Sequence, residues 1–148
     1  MPARAASAAR IRVLCVDDNE DIPEMLSRCI AAESDMESAG WLHSADDLVA
    51  EVARSRAHVV LLDLGMPGRD PIAAVRELAA SRPAPASEAG TGGHGVRVIV
   101  YSGRSDQQEL DRAINAGAWG YLSKGAEISI VLHAIREVAR GHAVLGSP

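Results

Sequence analysis

Asp17 and Asp18 follow the apolar run "IRVLCV", Asp63 follows "HVVLL", Ser102 closes "VRVIVYS", and Lys124 follows "WGYLS". Three carboxylates, a hydroxyl and an ammonium thus stand where buried segments end. If those segments lie side by side, the five groups share one crevice. Two unit negative charges about 4 Å apart repel by roughly 1 kcal/mol in water and several times that at a protein-like dielectric. Such a cluster raises its own pKa values or collects a cation. A hard divalent ion with oxygen ligands relieves it, and magnesium, which keeps several of its waters, suits an open site shared with a phosphate.

The segments that must position these groups alternate. "IRVLCV" reads as a β-branched strand. In "DIPEMLSRCIAAE" Ile22, Met25, Leu26, Cys29 and Ile30 recur at helical spacing. A second strand falls in the weakly patterned "MESAGWL". "SADDLVAEVAR" follows as a helix with Ser44 as N-cap, Asp47 three residues on, and Leu48, Val49 and Val52 on one face. "HVVLLD" is apolar throughout, as a central parallel strand covered on both faces is. Asp70 can cap the next helix, whose first position suits Pro71 because no N–H is needed there. "VRVIVYS" is the fourth strand, and Ser105 with Gln108 has the form of a capping box for the fourth helix, which Gly117 ends. "WGYLS" is the fifth strand. The last helix sets Ile128, Val131, Leu132, Ile135 and Val138 on one face. Five strands alternating with five helices predict an α/β protein, a doubly wound parallel sheet with helices on both faces.

Length and composition agree with one domain. The 148 residues are 47% hydrophobic and 24% charged, an ordinary globular balance. A net charge of -5 argues against gripping a nucleic-acid backbone unaided. Nothing has the apolar length of a membrane span, and "MPARAASAAR" lacks the apolar core of a signal peptide. Cys15 and Cys29 read as reduced core thiols, which places the chain in the cytoplasm. The five histidines lack ligand spacing. "RPAPASEAGTGGHG" at 82–95 is longer than most α/β loops and reads as a solvated insertion, with partner docking as the alternative. Residues 1–9 read as a flexible tail, 10–141 as the domain, and 142–148 as a linker or C-terminal tail.

The "DD" after strand one, "D-L-x-M-P-x-x-D" after strand three, "S-G" after strand four and "G-Y-L-x-K" at strand five resemble a response-regulator receiver domain over Arg10 to Gly141. The resemblance implies the flavodoxin/CheY-like three-layer sandwich with strand order 2-1-3-4-5. It implies a two-component phosphoacceptor rather than a conventional enzyme, one that catalyses only its own phosphorylation and slow dephosphorylation. The partner is a sensor histidine kinase or a phosphotransfer protein, and Mg2+ is the cofactor. Carried over by position, Asp63 is the phosphoacceptor. Asp18 and Asp63 ligate the metal, Asp17 acts through a bound water, and the Gly65 backbone carbonyl completes the protein's share. Lys124 pairs with phosphoryl oxygens, and Ser102 hydrogen-bonds one of them. Ser102 and Tyr121 form the switch, and Gly65 and Arg104 tune hydrolysis. The fourth helix, fifth strand and fifth helix carry the two-state surface. For Tyr121 the alternative is an ordinary, partly buried strand tyrosine.

Within that family, "AGAWGYLSKGAE" and "ARGHAVLGSP" resemble the NarL/FixJ-type regulators. A transcriptional output through a helix-turn-helix domain after this segment is then implied, with DNA contacted only there. A homodimer through helix faces is compatible with the family. Pro71 stands where glycine is usual, and Gly125 where a proline often follows the lysine. Those departures keep open a degenerate receiver that binds partners without phosphorylation. A haloacid-dehalogenase-like phosphatase requires a second aspartate where Gly65 stands. A flavodoxin-like nucleotide or flavin binder requires a Gly/Ser/Thr-rich loop where the acidic "DDNED" stands.

Overall fold

Among the described residues the β-branched and apolar runs form six strands, and the amphipathic stretches between them form five helices. The computed structural model describes residues 10–66, 70–80, 95–103 and 106–145. The strands are β1 (Ile11–Val16), β2 (Met36–Leu42), β3 (Val59–Leu62), β4 (Arg97–Ser102), β5 (Gly120–Ser123) and β6 (Val144–Leu145). The helices are α1 (Asp21–Ala31), α2 (Leu48–Ser55), α3 (Pro71–Ala80), α4 (Gln107–Ala116) and α5 (Ile128–Ala139). All strand pairs are parallel, in the order β2-β1-β3-β4-β5-β6. The first five follow the expected 2-1-3-4-5 order. The addition is β6, a two-residue strand in the stretch expected to begin a linker or tail, paired as Gly120↔Val144 and Tyr121↔Leu145.

Alternation along the strands divides the core into two layers. Leu14, Val16, Val60, Leu62, Val98 and Val100 face α2, α3 and α4, where Leu48, Ile72, Val75 and Ala113 meet them. Val13, Cys15, Val59, Leu61 and Ile99 face α1 and α5, meeting Leu26, Ile30, Val131 and Ile135. Every residue of β3 is buried, as a strand covered on both faces must be. The three-layer sandwich follows from these two faces.

Several local expectations need correction. Ser44 does not cap α2; its Oγ accepts from the Asp46 N–H, and the helix begins at Leu48 with Asp47 before it. The N-cap of α4 is Asp106 rather than Ser105: its Oδ1 accepts from the N–H groups of Gln108 and Glu109. Ser105 itself, like residues 1–9 and nearly all of the 82–95 insertion, lies outside the described residues. The buried stripe of α1 is Pro23, Leu26 and Ile30, while Met25 is exposed. Asp70 does cap α3, with its Oδ1 3.0 Å from the Ile72 nitrogen, and Pro71 is the first helical residue.

The weak pattern of β2 has a cause. Its register with β1 runs Val13↔Ser38 and then Cys15↔Trp41, so β2 carries one extra residue, beside Gly40 at φ +108°. This bulge breaks the two-residue alternation of side chains. Leu42 turns to the α2 side of the core, while Trp41, exposed, meets the His43 ring edge-on at 4.7 Å.

At the opposite end of the chain α5 is tied back to the turn between α1 and β2. The Arg136 guanidinium donates to Asp35 at 2.7 and 2.9 Å and to Glu33 at 2.6 Å. This pairing holds the Asp35 carboxyl below the usual carboxylate range and raises the Arg136 pKa.

Candidate functional site

Chain order explains where the polar groups collect. From β1 the chain passes through α1 to β2 on one side, and it returns through α2 to β3 on the other. The carboxyl ends of β1 and β3 therefore flank a point where the strand order reverses, the place where α/β sheets form a crevice. Val16 and Leu62 are register partners, and the Asp63 N–H extends the ladder to the Val16 carbonyl at 3.0 Å. Asp17 and Asp63 are thus the next residues of two paired strands. Aligned strand ends leave their carboxylates no means of avoiding one another.

Asp17, Asp18 and Asp63 each present a carboxylate oxygen within 4.8 Å of the others. Asp17 is 3% and Asp63 8% exposed, whereas Asp18 lies open to solvent. Lys124 reaches in from the end of β5, its Nζ 2.6 Å from Asp17 Oδ2 and 3.5 Å from Asp63 Oδ1. Among the described residues one ammonium faces three carboxylates there, a net negative balance. Burial raises the Asp63 pKa, with the Gly65 N–H and Lys124 opposing and Asp17 assisting, and the net shift is upward. Burial pulls Lys124 down, but its contacts with Asp17 and Asp63 outweigh that and leave it above the usual lysine value. The Asp63 shift records chiefly its burial, and the Lys124 shift records the carboxylates around the ammonium.

Backbone donors hold the acids in place. Asp17 Oδ1 accepts from the Asn19 N–H at 3.0 Å, and Asp63 Oδ1 accepts from the Gly65 N–H at 3.2 Å. Asp17 Oδ2 is buried and accepts no aligned hydrogen bond, its contact being the ion pair with Lys124. A side chain at position 65 would begin with a Cβ 3.8 and 3.9 Å from the two Asp63 oxygens, so glycine leaves that flank of the carboxylate open. An all-oxygen donor set of three clustered carboxylates, two of them buried, fits a hard divalent cation such as Mg2+.

Ser102, the last residue of β4, is buried. Its carbonyl accepts from the Lys124 N–H at 2.8 Å, which links the hydroxyl-bearing residue to the lysine through one backbone bond. Tyr121 is buried too, within the core layer that faces α4. Asp17, Asp18, Asp63 and Lys124 therefore converge, Gly65 flanks them, and Ser102 closes the neighbouring strand. Arg104 lies outside the described residues. Sequence reasoning passed over Asn19, whose N–H orients Asp17 and whose own Oδ1 accepts from the Asp21 N–H at 3.0 Å. The Asp-x-Asn spacing in "DDNED" carried that signal, since both side chains can fold back onto the backbone two residues on. Gly103, the glycine of the "S-G" motif, was given no role of its own: a Cβ there would lie 3.9 Å from the Lys124 Cδ, so the lysine stem passes over it.

Residues 13–136 match the family model of the response regulator receiver domain. The chain belongs to that family. GacA of Pseudomonas protegens, a response regulator, is 30% identical over 131 residues, covering 88% of this chain and 56% of that protein. UvrY of Escherichia coli, also a response regulator, is 30% identical over 137 residues, covering 93% and 58%. This receiver chain thus spans little more than half the length of those relatives. Among solved structures, the signal receiver domain of the NarL response regulator from Mycobacterium tuberculosis superposes with a TM-score of 0.77. That match is 20% identical and covers 90% of this chain and 99% of the other. A two-component response regulator of the LuxR family from Aurantimonas gives 0.78 at 21% identity, covering 95% and 91%. These likenesses agree with the CheY-like arrangement of strands and helices described above. Among the described residues no helix is long and apolar enough to cross a membrane.

Proposed function

We propose that this receiver takes a phosphoryl group on Asp63 from the phosphohistidine of a sensor kinase or phosphotransfer protein in the cytoplasm. The observation that supports this reading best is the convergence of Asp17, Asp18, Asp63 and Lys124 at two adjacent strand ends. A carboxylate of Asp63 attacks phosphorus in line. The new O–P bond forms as the N–P bond to the donor imidazole breaks, the freed imidazole takes a proton, and the product is an acyl phosphate. Attack by water on that phosphate restores Asp63 and releases inorganic phosphate.

Asp18, Asp63 and the Gly65 carbonyl would hold Mg2+ directly, and Asp17 would act through a bound water. When bound, the ion supplies charge neutralisation at the phosphoryl oxygens. Lys124, 3.5 Å from Asp63, pairs with the same oxygens. Ser102 hydrogen-bonds one of them after transfer, and Tyr121 packs behind it. The populations of the α4–β5–α5 surface shift with the modification. Gly65 and Arg104 set the access of water to the acyl phosphate. The output is transcriptional, through a DNA-binding domain carried outside the receiver.

The test is intact-mass analysis after incubation with acetyl phosphate and Mg2+. A phosphoryl adduct that disappears with Asp63→Asn and with a chelator supports the reading. Lack of an adduct on rapid quenching sinks it in favour of a phosphorylation-independent interaction module.

A further inference from the structure

Lys124 must be delivered to within reach of Asp17 and Asp63 by a turn that contains a glycine. Gly125 follows it directly, and a glycine there leaves the backbone more freedom than any other residue would. The conformation does not demand glycine. Among the described glycines only Gly40, Gly117 and Gly141 have positive φ, and a Cβ on Gly125 would meet nothing nearer than the Ser123 Oγ at 3.5 Å. Something other than the residue type therefore fixes this turn.

Three hydrogen bonds do so. The Lys124 N–H donates to the Ser102 carbonyl at 2.8 Å, and the Ala126 N–H donates to the Ser123 carbonyl at 2.9 Å. The third involves a side chain: the Gly125 N–H donates to the Ser123 Oγ at 3.0 Å, closing a ring around Lys124 itself. Ser123 is the last residue of β5 and the register partner of Ser102, so it stands on the rigid part of the sheet. Its side chain is exposed and lies outside both core layers.

We infer that Ser123 is a positioning residue for Lys124: its hydroxyl, by accepting the Gly125 N–H, fixes the turn that aims the ammonium at the acidic crevice. This rests on the phosphoacceptor reading for its kinetic consequence but not for its geometry. A proline at position 125 would have no N–H to donate, so the Ser123 hydroxyl and Gly125 act as a pair. The lysine works only when held close to the reacting oxygens, and misplacement by about 1 Å is costly in such sites.

The experiment compares wild type, Ser123→Ala and Ser123→Thr in two measurements. The first follows adduct formation across a series of acetyl phosphate concentrations, with Mg2+ affinity measured calorimetrically beside it. Ser123→Ala should lower the maximal rate about tenfold with Mg2+ affinity unchanged, and Ser123→Thr, which keeps the hydroxyl, should restore it. The second records the Lys124 side-chain NMR signals in metal-free protein, where Ser123→Ala should shift or broaden them and Ser123→Thr should not. A wild-type maximal rate in Ser123→Ala overturns the inference, as does an equal loss in both variants. If wild type takes no phosphoryl group, the phosphoacceptor reading fails by itself. The NMR comparison then decides Ser123 alone, and unchanged Lys124 signals in Ser123→Ala overturn its positioning role.

Discussion

Asp63 is buried as an anion beside another buried carboxylate, and its raised pKa records the cost. The sign of the pH effect follows. A carboxyl whose folded pKa exceeds its unfolded value destabilises the fold at pH values above the folded pKa. The penalty fades as pH falls through that value and is gone below the unfolded one, where both states are protonated. Asp63→Asn should therefore stabilise the metal-free protein near neutrality, by about 1 kcal/mol or about 3 °C in thermal midpoint. The gain should vanish in acid; a midpoint that falls at pH 7 in Asp63→Asn would contradict this. In metal-free wild type, an NMR titration of the Asp63 carboxyl should give a midpoint above the ordinary value of about 3.9. The acids were legible from the sequence because polar residues at the ends of apolar runs are conspicuous. Asn19 and Ser123 were overlooked, since each takes part in a side-chain-to-backbone hydrogen bond spanning two residues. Composition does not reveal such bonds, and for Asn19 only the Asp-x-Asn spacing hints at one.

Helices α3 and α4 pack against each other with a very small margin. Gly117 ends α4 at φ +115°, and a Cβ on it would lie only 2.7 Å from the Ala79 Cβ of α3. Gly117→Ala should combine backbone strain of about 1 kcal/mol or more with a clash of about 1–3 kcal/mol. Urea denaturation should show the midpoint falling with little change in slope; an unchanged midpoint would mean that the helices move apart freely. Sequence reading located this helix end through its glycine, and it located the start of α3 through Asp70 and Pro71. It failed at the starts of α2 and α4, where several Ser and Asp residues lie close together and any of them has capping chemistry. Asp106 serves α4 because the N–H groups of Gln108 and Glu109 fall to its carboxylate. Met25 was assigned to the buried stripe because α1 was read without Pro23, an apolar residue that took the inward place. The strand β6 was missed because two residues offer no period to detect.

At the scale of the whole molecule, the strand order and both core layers follow from alternating apolar segments, which is why the fold was readable at large. The bulge in β2 was not, since an inserted residue disturbs the one pattern by which a strand announces its faces. The bond between α5 and the α1–β2 turn was also invisible: Arg136 and Asp35 are 101 residues apart. That separation bears on the order of events when the chain folds. Closing a loop of about 100 residues costs roughly 4 kcal/mol of chain entropy, whereas an ion pair at the surface returns about 1 kcal/mol or less. The Arg136 contacts cannot pull the two ends together; they form once the sheet and its core have already done so. Such late interactions act on the escape from the native state rather than on the approach to it. Arg136→Ala should leave the refolding limb of a urea chevron in place and raise the unfolding rate by up to about fivefold. A slowed refolding limb would place the contact in the nucleus. On this reading Arg136 lengthens the lifetime of the native receiver while leaving its rate of formation to the β-strands.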